Sequence, residues 1–318
     1  MVRKKIGVII PVSVYEPSET LVKSATHLCN LDYGDFEPKI VYVFDGEEKD
    51  ERVLTLKKLG VDVLARNTSR GRRAGAINDG LKIIKKYRPA AIAIFDVDSR
   101  PSRDFVIKCA ERLERGVYIS SSRREVINPF TLIAEGVFIE YKLIGYLLRK
   151  SGFRQFNGLI GVLNPEYIFR YRLNENCLTE DADFSTRMHA IGLRAEMCDS
   201  VLHEQAPINA GDLVSQRKRW YYGGLELWKY LGEVIRSGNF RFIFSWLLSL
   251  TLTYFPAIFF LPVVLTLPPL LVRYGFRGFR IHAGLIFHLV LLQISSISAL
   301  VAFLRKNKVE WGSIERIE

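Results

Sequence analysis

The first 200 residues alternate between two patterns of hydrophobic and polar positions. Short apolar runs typical of buried strands occur at 6–12, 40–44, 61–64, 91–95 and 117–120. Stretches with helical spacing lie between them, near 18–31, 49–59, 74–87 and 103–115. This alternation predicts an α/β fold built mostly on parallel strands. In such folds ligands bind beyond the carboxyl ends of the strands.

The C-terminal third has a different pattern, with two long runs that contain no charged residue. These runs are residues 242–272 and 281–304, and about 20 apolar residues suffice to cross a bilayer. We therefore predict two membrane spans at about these positions and a multi-pass protein of the cell membrane. The alternative is a pair of buried helices in a soluble domain. Four prolines in the first run predict kinks there, or a re-entrant segment.

The orientation follows from the charged flanks of the two runs. With residues 1–241 in the cytoplasm, two full spans would place Arg273, Arg277 and Arg280 outside, against the positive-inside tendency. A re-entrant first segment would keep these arginines inside. Just before the spans, residues 220–241 carry apolar positions at helical spacing, which predicts an amphipathic helix in the headgroup plane, or else a helix of the core.

Composition agrees with a charged head and an apolar tail. The 318 residues are 48% hydrophobic, and 12 Pro, 23 Gly and 25% charged residues exclude a disordered or collagen-like chain. At the same time 45 Lys+Arg against 34 Asp+Glu give a net charge of +11. The four cysteines, at 29, 109, 177 and 198, form no CxxC motif. We therefore expect neither a zinc site nor a disulfide framework, and a reducing, cytoplasmic setting.

Acidic residues follow two of the predicted strands. Asp45 ends the second strand, and Asp96-Val97-Asp98 follows the fourth. Acids two positions apart in an extended segment point the same way, so Asp96 and Asp98 could approach one divalent cation and the diphosphate it carries. A solvated strand end is the alternative. Asp45 would then be an acceptor for a base or ribose group.

Three further motifs carry candidate chemistry. A basic loop with a glycine, residues 66–73, precedes a helical stretch and could attract phosphate, or be an ordinary loop. Thr179-Glu180-Asp181 could supply a general base or only cap a helix. Gln216, Arg219 and Trp220 would share a helical face suited to a diphosphate and a sugar, or form an interfacial basic-aromatic turn.

Taken in order, these motifs resemble the membrane-bound family 2 glycosyltransferases, the group of the cellulose, chitin and hyaluronan synthases. The resemblance covers residues 5–235 and also includes Ile9-Ile10-Pro11, Arg73–Asn78 and Phe156-Asn157-Gly158. It implies a GT-A fold with a Rossmann-like mixed sheet at 1–219, an interfacial helix at 220–241 and a membrane region at 242–318. It further implies inverting transfer from a nucleotide-diphosphate sugar, with UDP favoured, to a lipid-linked or saccharide acceptor, giving a β-linkage.

The resemblance also implies roles for individual residues. Asp181 would be the catalytic base, and Asp98 with Asp96 would bind Mg²⁺ or Mn²⁺. The nucleotide-sugar site would consist of Pro11, Glu16, Asp45, Arg73, Asp96, Gln216 and Arg219. The acceptor site would consist of Gly158, Glu180 and Trp220.

The sequence departs from the family pattern in three ways. Arg73 stands where a lysine is usual, which keeps the charge but changes the geometry. Glu16 lies one residue later than expected, and only about two spans are predicted. Two spans favour single or short-chain transfer, unless the chain forms a homo-oligomer that makes a processive synthase.

Other classes remain open at this level. A polyprenyl-phosphate sugar synthase would share the fold but needs no base. A sugar nucleotidyltransferase would need a glycine-rich loop near Pro11, which this chain lacks. A nucleic-acid binder or plain membrane anchor would explain the positive charge but not the acidic motifs, so we expect a lipid bilayer and no nucleic acid as partner.

Overall fold

The computed structural model describes residues 3–307 and 309. Within them one mixed sheet has eight strands: β1 (Lys4–Val12), β2 (Phe36–Asp45), β3 (Asp62–Arg66), β4 (Ala91–Ile94), β5 (Arg100–Pro101), β6 (Ile119–Val126), β7 (Gly161–Leu163) and β8 (Ala195–Glu204). The strand order is β3-β2-β1-β4-β7-β6-β8-β5.

The sheet has a parallel half and an antiparallel half. Strands β1 to β4 pair in parallel, as the sequence predicts, and Ile6 and Val8 to Ile10 in β1 are fully buried. A central parallel strand is covered on both faces, which explains its unbroken apolar run. The prediction of mostly parallel strands fails beyond β4, because β7 pairs antiparallel with both β4 and β6.

Seven helices connect or flank these strands. They are α1 (Ser18–Cys29), α2 (Glu51–Lys58), α3 (Arg72–Lys85), α4 (Phe105–Leu113), α5 (Leu132–Lys150), α6 (Pro165–Tyr171) and α7 (Glu180–Ala190). Helices α1 to α4 coincide with the four helical stretches predicted from the sequence. Short 3-10 turns occur at Asn157–Leu159, Leu227–Tyr230 and Pro256–Phe259.

From the end of the sheet to residue 307, the described chain is mostly helical. It forms α8 (Ala210–Glu226), α9 (Leu231–Arg236), α10 (Phe240–Leu252), α11 (Phe260–Val264), α12 (Leu267–Tyr274) and α13 (Arg277–Leu304). The predicted amphipathic helix over 220–241 is not continuous, since the 3-10 turn separates α8 from α9. Leu227 and Val234 are buried whereas Ile235 is 55% exposed, so part of the predicted apolar stripe is core.

The two uncharged runs differ in shape. The first is broken: the direction changes by 94° between Phe240–Leu252 and Pro256–Val264. The predicted proline kink is therefore confirmed, and a proline at such a break removes a helix donor. The second run lies within α13, which has the length and apolar character of a membrane span.

The chain divides into two compact units. One comprises 1–123 and 154–203, and the other comprises 124–153 and 204–318. The first contains the parallel strands and the acidic motifs, whereas the second contains α5 and α8 to α13. The predicted division into a catalytic domain (1–219), an interfacial helix (220–241) and a membrane region (242–318) is defined by function and not by compactness. It remains a prediction.

Candidate active site

In the first compact unit, Arg73 lies at the centre of the acidic motifs. It is in the first turn of α3, and its side chain is 10% exposed. Its Nε donates to Asp96 Oδ1 at 2.8 Å, its Nη1 to Glu180 Oε1 at 2.5 Å and its Nη2 to the Gly158 carbonyl at 2.5 Å. Only the planar fork of a guanidinium serves three acceptors in this way.

Asp181 joins this arrangement through the backbone of Gly158. The Gly158 N–H donates to Asp181 Oδ2 at 2.7 Å, so one glycine contacts Arg73 with its carbonyl and Asp181 with its amide. Gly158 has φ +65°, and a Cβ there would meet Arg73 Nη2 at 3.1 Å and Asp96 Oδ2 at 3.2 Å. Both the conformation and the space therefore favour glycine.

Thr179 does not cap helix α7 with its side chain. It occupies the N-cap position, but its hydroxyl makes no capping hydrogen bond and is buried without a partner. Glu180 and Asp181 lie in the first turn, where carboxylates are favoured, yet both are fixed by the contacts described above. The capping interpretation of Thr179 is therefore wrong.

Electrostatics within this group follow from burial and from the single cation. Burial raises the pKa of Glu180 above its usual range; Arg73 opposes this shift, and the charge of Asp181 adds to it. For Arg73, burial works against the charged form, but Asp96 and Glu180 outweigh it and raise its pKa. Arg73 is accordingly a permanent cation that holds two carboxylates.

A second arginine connects Asp45 to a residue that the sequence analysis did not single out. Arg66, whose side chain is 4% exposed, lies 3.3 Å from Asp45 Oδ1 through Nη1 and 3.4 Å from Asp79 Oδ2 through Nε. Burial raises the pKa of Asp45 to about 6; Arg66 opposes the shift and Asp79 adds to it. Asp45 Oδ1 and Arg66 Nη1 are buried without a hydrogen bond.

Another arginine of the basic loop is also neutralised by carboxylates. Arg70 pairs with Asp79 at 3.0 Å and with Glu175. Gly75 allows the Arg70 carbonyl to approach the backbone of α3 closely, because a Cβ at position 75 would lie 2.0 Å from that carbonyl oxygen. The prediction of a loop that attracts phosphate thus needs qualification, since Arg66, Arg70 and Arg73 are each engaged within the protein.

The remaining predicted residues of the first unit lie as follows. Asp96 and Asp98 follow β4 directly, with the side chain of Asp96 37% exposed. Pro11 is in β1, paired with Val43 of β2. The Glu16 carbonyl accepts from Arg52 Nη1 at 3.0 Å.

Two carboxylates suffice as the protein's share of a Mg²⁺ or Mn²⁺ site when substrate phosphates and water complete the shell. Among the described residues no group of three or more His, Cys, Asp or Glu side chains is arranged to hold a metal ion. The assignment of Asp96 and Asp98 as metal ligands therefore remains a prediction.

In the second compact unit, α8 carries Gln216, Arg219 and Trp220. Gln216 Oε1 is buried without a hydrogen-bond partner. The residue that the sequence analysis overlooked is Arg217, 2% exposed, whose guanidinium lies 4.0 Å from the centre of the Trp220 ring and bonds Glu140 of α5. Glu140 also lies 3.4 Å from His288 Nε2 of α13.

Burial disfavours the Glu140 carboxylate, but Arg217 and His288 hold its pKa down at about 2. A buried ion pair of this kind could not be read from the sequence, because its members lie 77 residues apart.

Comparison with known proteins identifies the family. A family model described as glycosyl transferase family group 2 matches residues 91–304, and one described as glycosyl transferase family 2 matches residues 8–162. The chain belongs to the family 2 glycosyltransferases, as its motifs suggested, and it is a glycosyltransferase by that membership.

Two plant relatives are similar over most of the chain. Glucomannan 4-beta-mannosyltransferase 7 of Arabidopsis thaliana is 24% identical over 258 residues, which are 75% of this chain and 46% of the relative. Probable glucomannan 4-beta-mannosyltransferase 3 of Oryza sativa subsp. japonica is 24% identical over 248 residues, 72% of this chain and 45% of the relative. The chain spans about half the length of these relatives.

Solved structures share the fold. A mannosyltransferase, PcManGT from Pyrobaculum calidifontis in complex with GDP-Man and Mn²⁺, superposes with a TM-score of 0.62 at 17% identity, covering 95% of this chain and 88% of that one. S. aureus TarS gives a TM-score of 0.52 at 12% identity, covering 94% of this chain and 55% of that one. The predicted GT-A fold with a mixed sheet is therefore confirmed.

Proposed function

We propose that this protein transfers a mannosyl group from GDP-mannose to a hydroxyl of a saccharide or lipid-linked acceptor, with inversion and with Mn²⁺ or Mg²⁺. The observation that carries the proposal is the group formed by Arg73, Asp96, Gly158, Glu180 and Asp181. It joins Asp96, one of the two acids proposed to hold a metal-diphosphate, to Asp181, the acid proposed as the base. The mannosyl group is chosen from the relatives, both mannosyltransferases by name, and the nucleotide from the structural neighbour that binds GDP-Man; UDP-sugars, favoured from the sequence, are the competing donors.

Asp181 is the proposed general base. A carboxylate next to an acceptor hydroxyl removes its proton as the oxygen attacks the anomeric carbon. The Gly158 N–H holds one carboxylate oxygen at 2.7 Å, which fixes the direction of the group. Because attack comes from the face opposite the leaving diphosphate, an α-linked donor gives a β-linked product.

Asp96 and Asp98 would hold the divalent cation, which offsets the negative charge that builds on the leaving diphosphate. Asp96 keeps its place because Arg73 donates to one of its oxygens at 2.8 Å. Arg73 in this proposal positions carboxylates and does not itself reach for phosphate. Asp45, with a buried oxygen that lacks a hydrogen bond, would accept from the nucleotide base, beside Pro11 and Glu16.

Gln216, Arg219 and Trp220 are proposed to act on diphosphate and acceptor. The buried amide oxygen of Gln216 without a partner supports a ligand-facing role for that side chain. Arg217 stacks on Trp220 from within the protein and would fix the plane of the ring on which the acceptor sugar stacks. Glu180, held by Arg73, would shape the acceptor site.

We further propose that α13 contacts lipid. Its exposed side chains recur at intervals of three and four residues, at Phe287, Val290, Ile294, Ile297 and Val301, and each is at least 39% exposed. One whole face of the helix is therefore apolar and uncovered, which favours a bilayer over water. Whether α10 and α11 form a second span or a re-entrant segment is left to a topology measurement, such as labelling of single cysteines placed at 255 and 275.

Nucleotide release by detergent-solubilised protein tests the function. GDP-mannose, GDP-glucose, UDP-glucose and UDP-N-acetylglucosamine are supplied in turn with Mn²⁺ and either β-mannan oligosaccharide or polyprenyl phosphate. We expect release from GDP-mannose with a saccharide acceptor. Asp181→Asn should lower this rate by roughly 100-fold or more, the usual contribution of a general base.

Asp62→Asn serves as the matched control, because Asp62 is a surface carboxylate on β3 paired with Lys39 and should leave the rate unchanged. Release from a UDP-sugar would overturn the donor assignment. Activity on polyprenyl phosphate that survives Asp181→Asn would replace the proposal with a polyprenyl-phosphate sugar synthase.

A further inference from the structure

Two of the four cysteines, 89 residues apart in the sequence, lie in contact in the first compact unit. Cys109 in α4 and Cys198 in β8 have their sulfur atoms 3.3 Å apart, and they are 0% and 1% exposed. The sequence predicts no disulfide framework, since neither residue belongs to a CxxC motif. The fold brings them together where α4 packs against β8.

The backbone around this pair is held in place by several hydrogen bonds. The Ser102 N–H and hydroxyl both donate to the Val201 carbonyl at 2.9 Å. The Ser200 hydroxyl donates to Asp104 Oδ1 at 2.8 Å, and Lys108 Nζ donates to the Asp199 carbonyl at 3.1 Å. The segment that leads into α4 and strand β8 are thus fastened to each other beside the two thiols, by residues that precede Cys109 and residues that follow Cys198.

We propose that Cys109 and Cys198 are a thiol–disulfide site, which a small-molecule disulfide such as oxidised glutathione converts from the dithiol to an intramolecular disulfide. The sulfurs must approach by about 1.2 Å to reach the bond length of about 2.05 Å.

The exchange balances as two thiol–disulfide steps. Both thiols are buried, so the exchange proceeds during transient local opening of the contact between α4 and β8. The Cys198 thiol then loses its proton and attacks oxidised glutathione, forming a mixed disulfide and releasing one glutathione thiolate. Cys109 loses its proton and attacks the Cys198 sulfur, which forms the new S–S bond and releases a second glutathione. Two protons and two electrons thus pass to the oxidant.

The cross-link closes a loop that contains the proposed base and its support. Residues 109–198 include Gly158, Glu180 and Asp181. A disulfide across a long loop removes much of the conformational freedom of the unfolded chain. The oxidised protein should therefore resist unfolding more than the reduced one, with a rise in Tm of roughly 5–10 °C.

Differential alkylation of the full chain tests the pair. Purified protein is incubated for a day at 37 °C with oxidised glutathione or with dithiothreitol, then unfolded in iodoacetamide, digested and analysed by mass spectrometry. We expect a peptide linked through Cys109 and Cys198 only after oxidation. Cys29, which is exposed, is the internal control and should be alkylated or glutathionylated but never linked to either member of the pair.

Cys198→Ser and the double variant Cys29→Ser/Cys177→Ser complete the experiment. The double variant should keep the redox-dependent rise in Tm, and Cys198→Ser should lose it. Alkylation of both Cys109 and Cys198 after oxidation would overturn the proposal, as would an unchanged Tm response in Cys198→Ser. Neither result depends on enzymatic activity, so the proposal stands or falls separately from the proposed function.

Discussion

Arg73 offers the sharpest test of how the site is held together. It donates to Asp96, Glu180 and the Gly158 carbonyl from a side chain that is 10% exposed. Arg73→Met leaves two carboxylates without their cation, and breaking a buried ion pair in this way costs about 3–5 kcal/mol. Because burial already raises the pKa of Glu180, that carboxyl can take up a proton, so we expect the lower end of the range, about 3 kcal/mol.

Arg73→Lys is expected to be intermediate. The lysine keeps the positive charge but cannot serve three acceptors in one plane. The lysine should therefore lose one of the three hydrogen bonds that Arg73 donates. A hydrogen bond to a charged group is worth about 1.5–3 kcal/mol. Unfolding of the solubilised protein in urea, followed by circular dichroism, measures both losses, and nucleotide release reports the effect on the site.

The pH dependence of the Arg73→Met loss has a definite sign. A carboxyl whose pKa in the folded protein exceeds its value in the unfolded chain binds a proton more readily when folded, so lowering the pH stabilises the fold. Removing the cation raises the pKa of Glu180 further. The destabilisation caused by Arg73→Met should therefore be smaller at pH 5 than at pH 8.

Arg70→Met is the matched control for this series. Arg70 is in the same loop and also pairs with two carboxylates, but its side chain is 48% exposed, so its loss should cost at most about 1 kcal/mol. The reasoning fails if Arg73→Met is no more destabilising than Arg70→Met. It also fails if Arg73→Lys is more damaging than Arg73→Met.

Three further predictions concern single features of the site. Gly158→Ala places a side chain at φ +65° against Arg73 and Asp96, so it should lower kcat at least tenfold and stability by ~1–2 kcal/mol; Gly192→Ala, with φ +86° and open space, controls for backbone strain alone. Donor affinity, measured by titration calorimetry, should fall as the pH drops through about 6, because Asp45 then gains a proton and no longer accepts a hydrogen bond from the nucleotide base. The donor affinity of Asp45→Asn should not change with pH in that range. EDTA should abolish nucleotide release and Mn²⁺ should restore it in the wild type but not in Asp98→Asn; full activity in EDTA would refute metal dependence.

Much of the first half of the fold could be predicted from the sequence, because its parallel strands are buried on both faces and read as unbroken apolar runs. Helices α1 to α4 followed from spacing alone. Strands β5, β7 and β8 did not. Strands β5 and β7 have two and three residues and are too short to show a period, and the apolar residues of β8 are interrupted by Glu196, Asp199 and Ser200. Their place depends on pairing with distant strands, which single-sequence patterns do not record.

The candidate site was predictable in its members but not in its connections. Asp96, Glu180 and Asp181 were found from motifs, and the structure brings Asp96 and Glu180 together on Arg73 and holds Asp181 through Gly158. Asp79 was missed because it lies in the middle of a helix, with no motif around it.

The same limit applies to the pairs outside the acidic motifs. Arg217 with Glu140, and Cys109 with Cys198, come from distant segments that only the folded chain brings together. An arginine next to a recognisable motif gave no sign of being buried, and two isolated cysteines gave no sign of being neighbours.

The stereochemistry of the product tests the central claim most directly. Wild-type protein and Asp181→Asn are incubated with GDP-mannose, Mn²⁺ and β-mannan oligosaccharide, and the anomeric configuration of the newly transferred sugar is read by NMR. If Asp181 is a base that directs attack opposite the diphosphate, the wild type gives a β-mannoside and the variant gives almost none. An α-linked product, or a β-linked product formed equally well by Asp181→Asn, would contradict it.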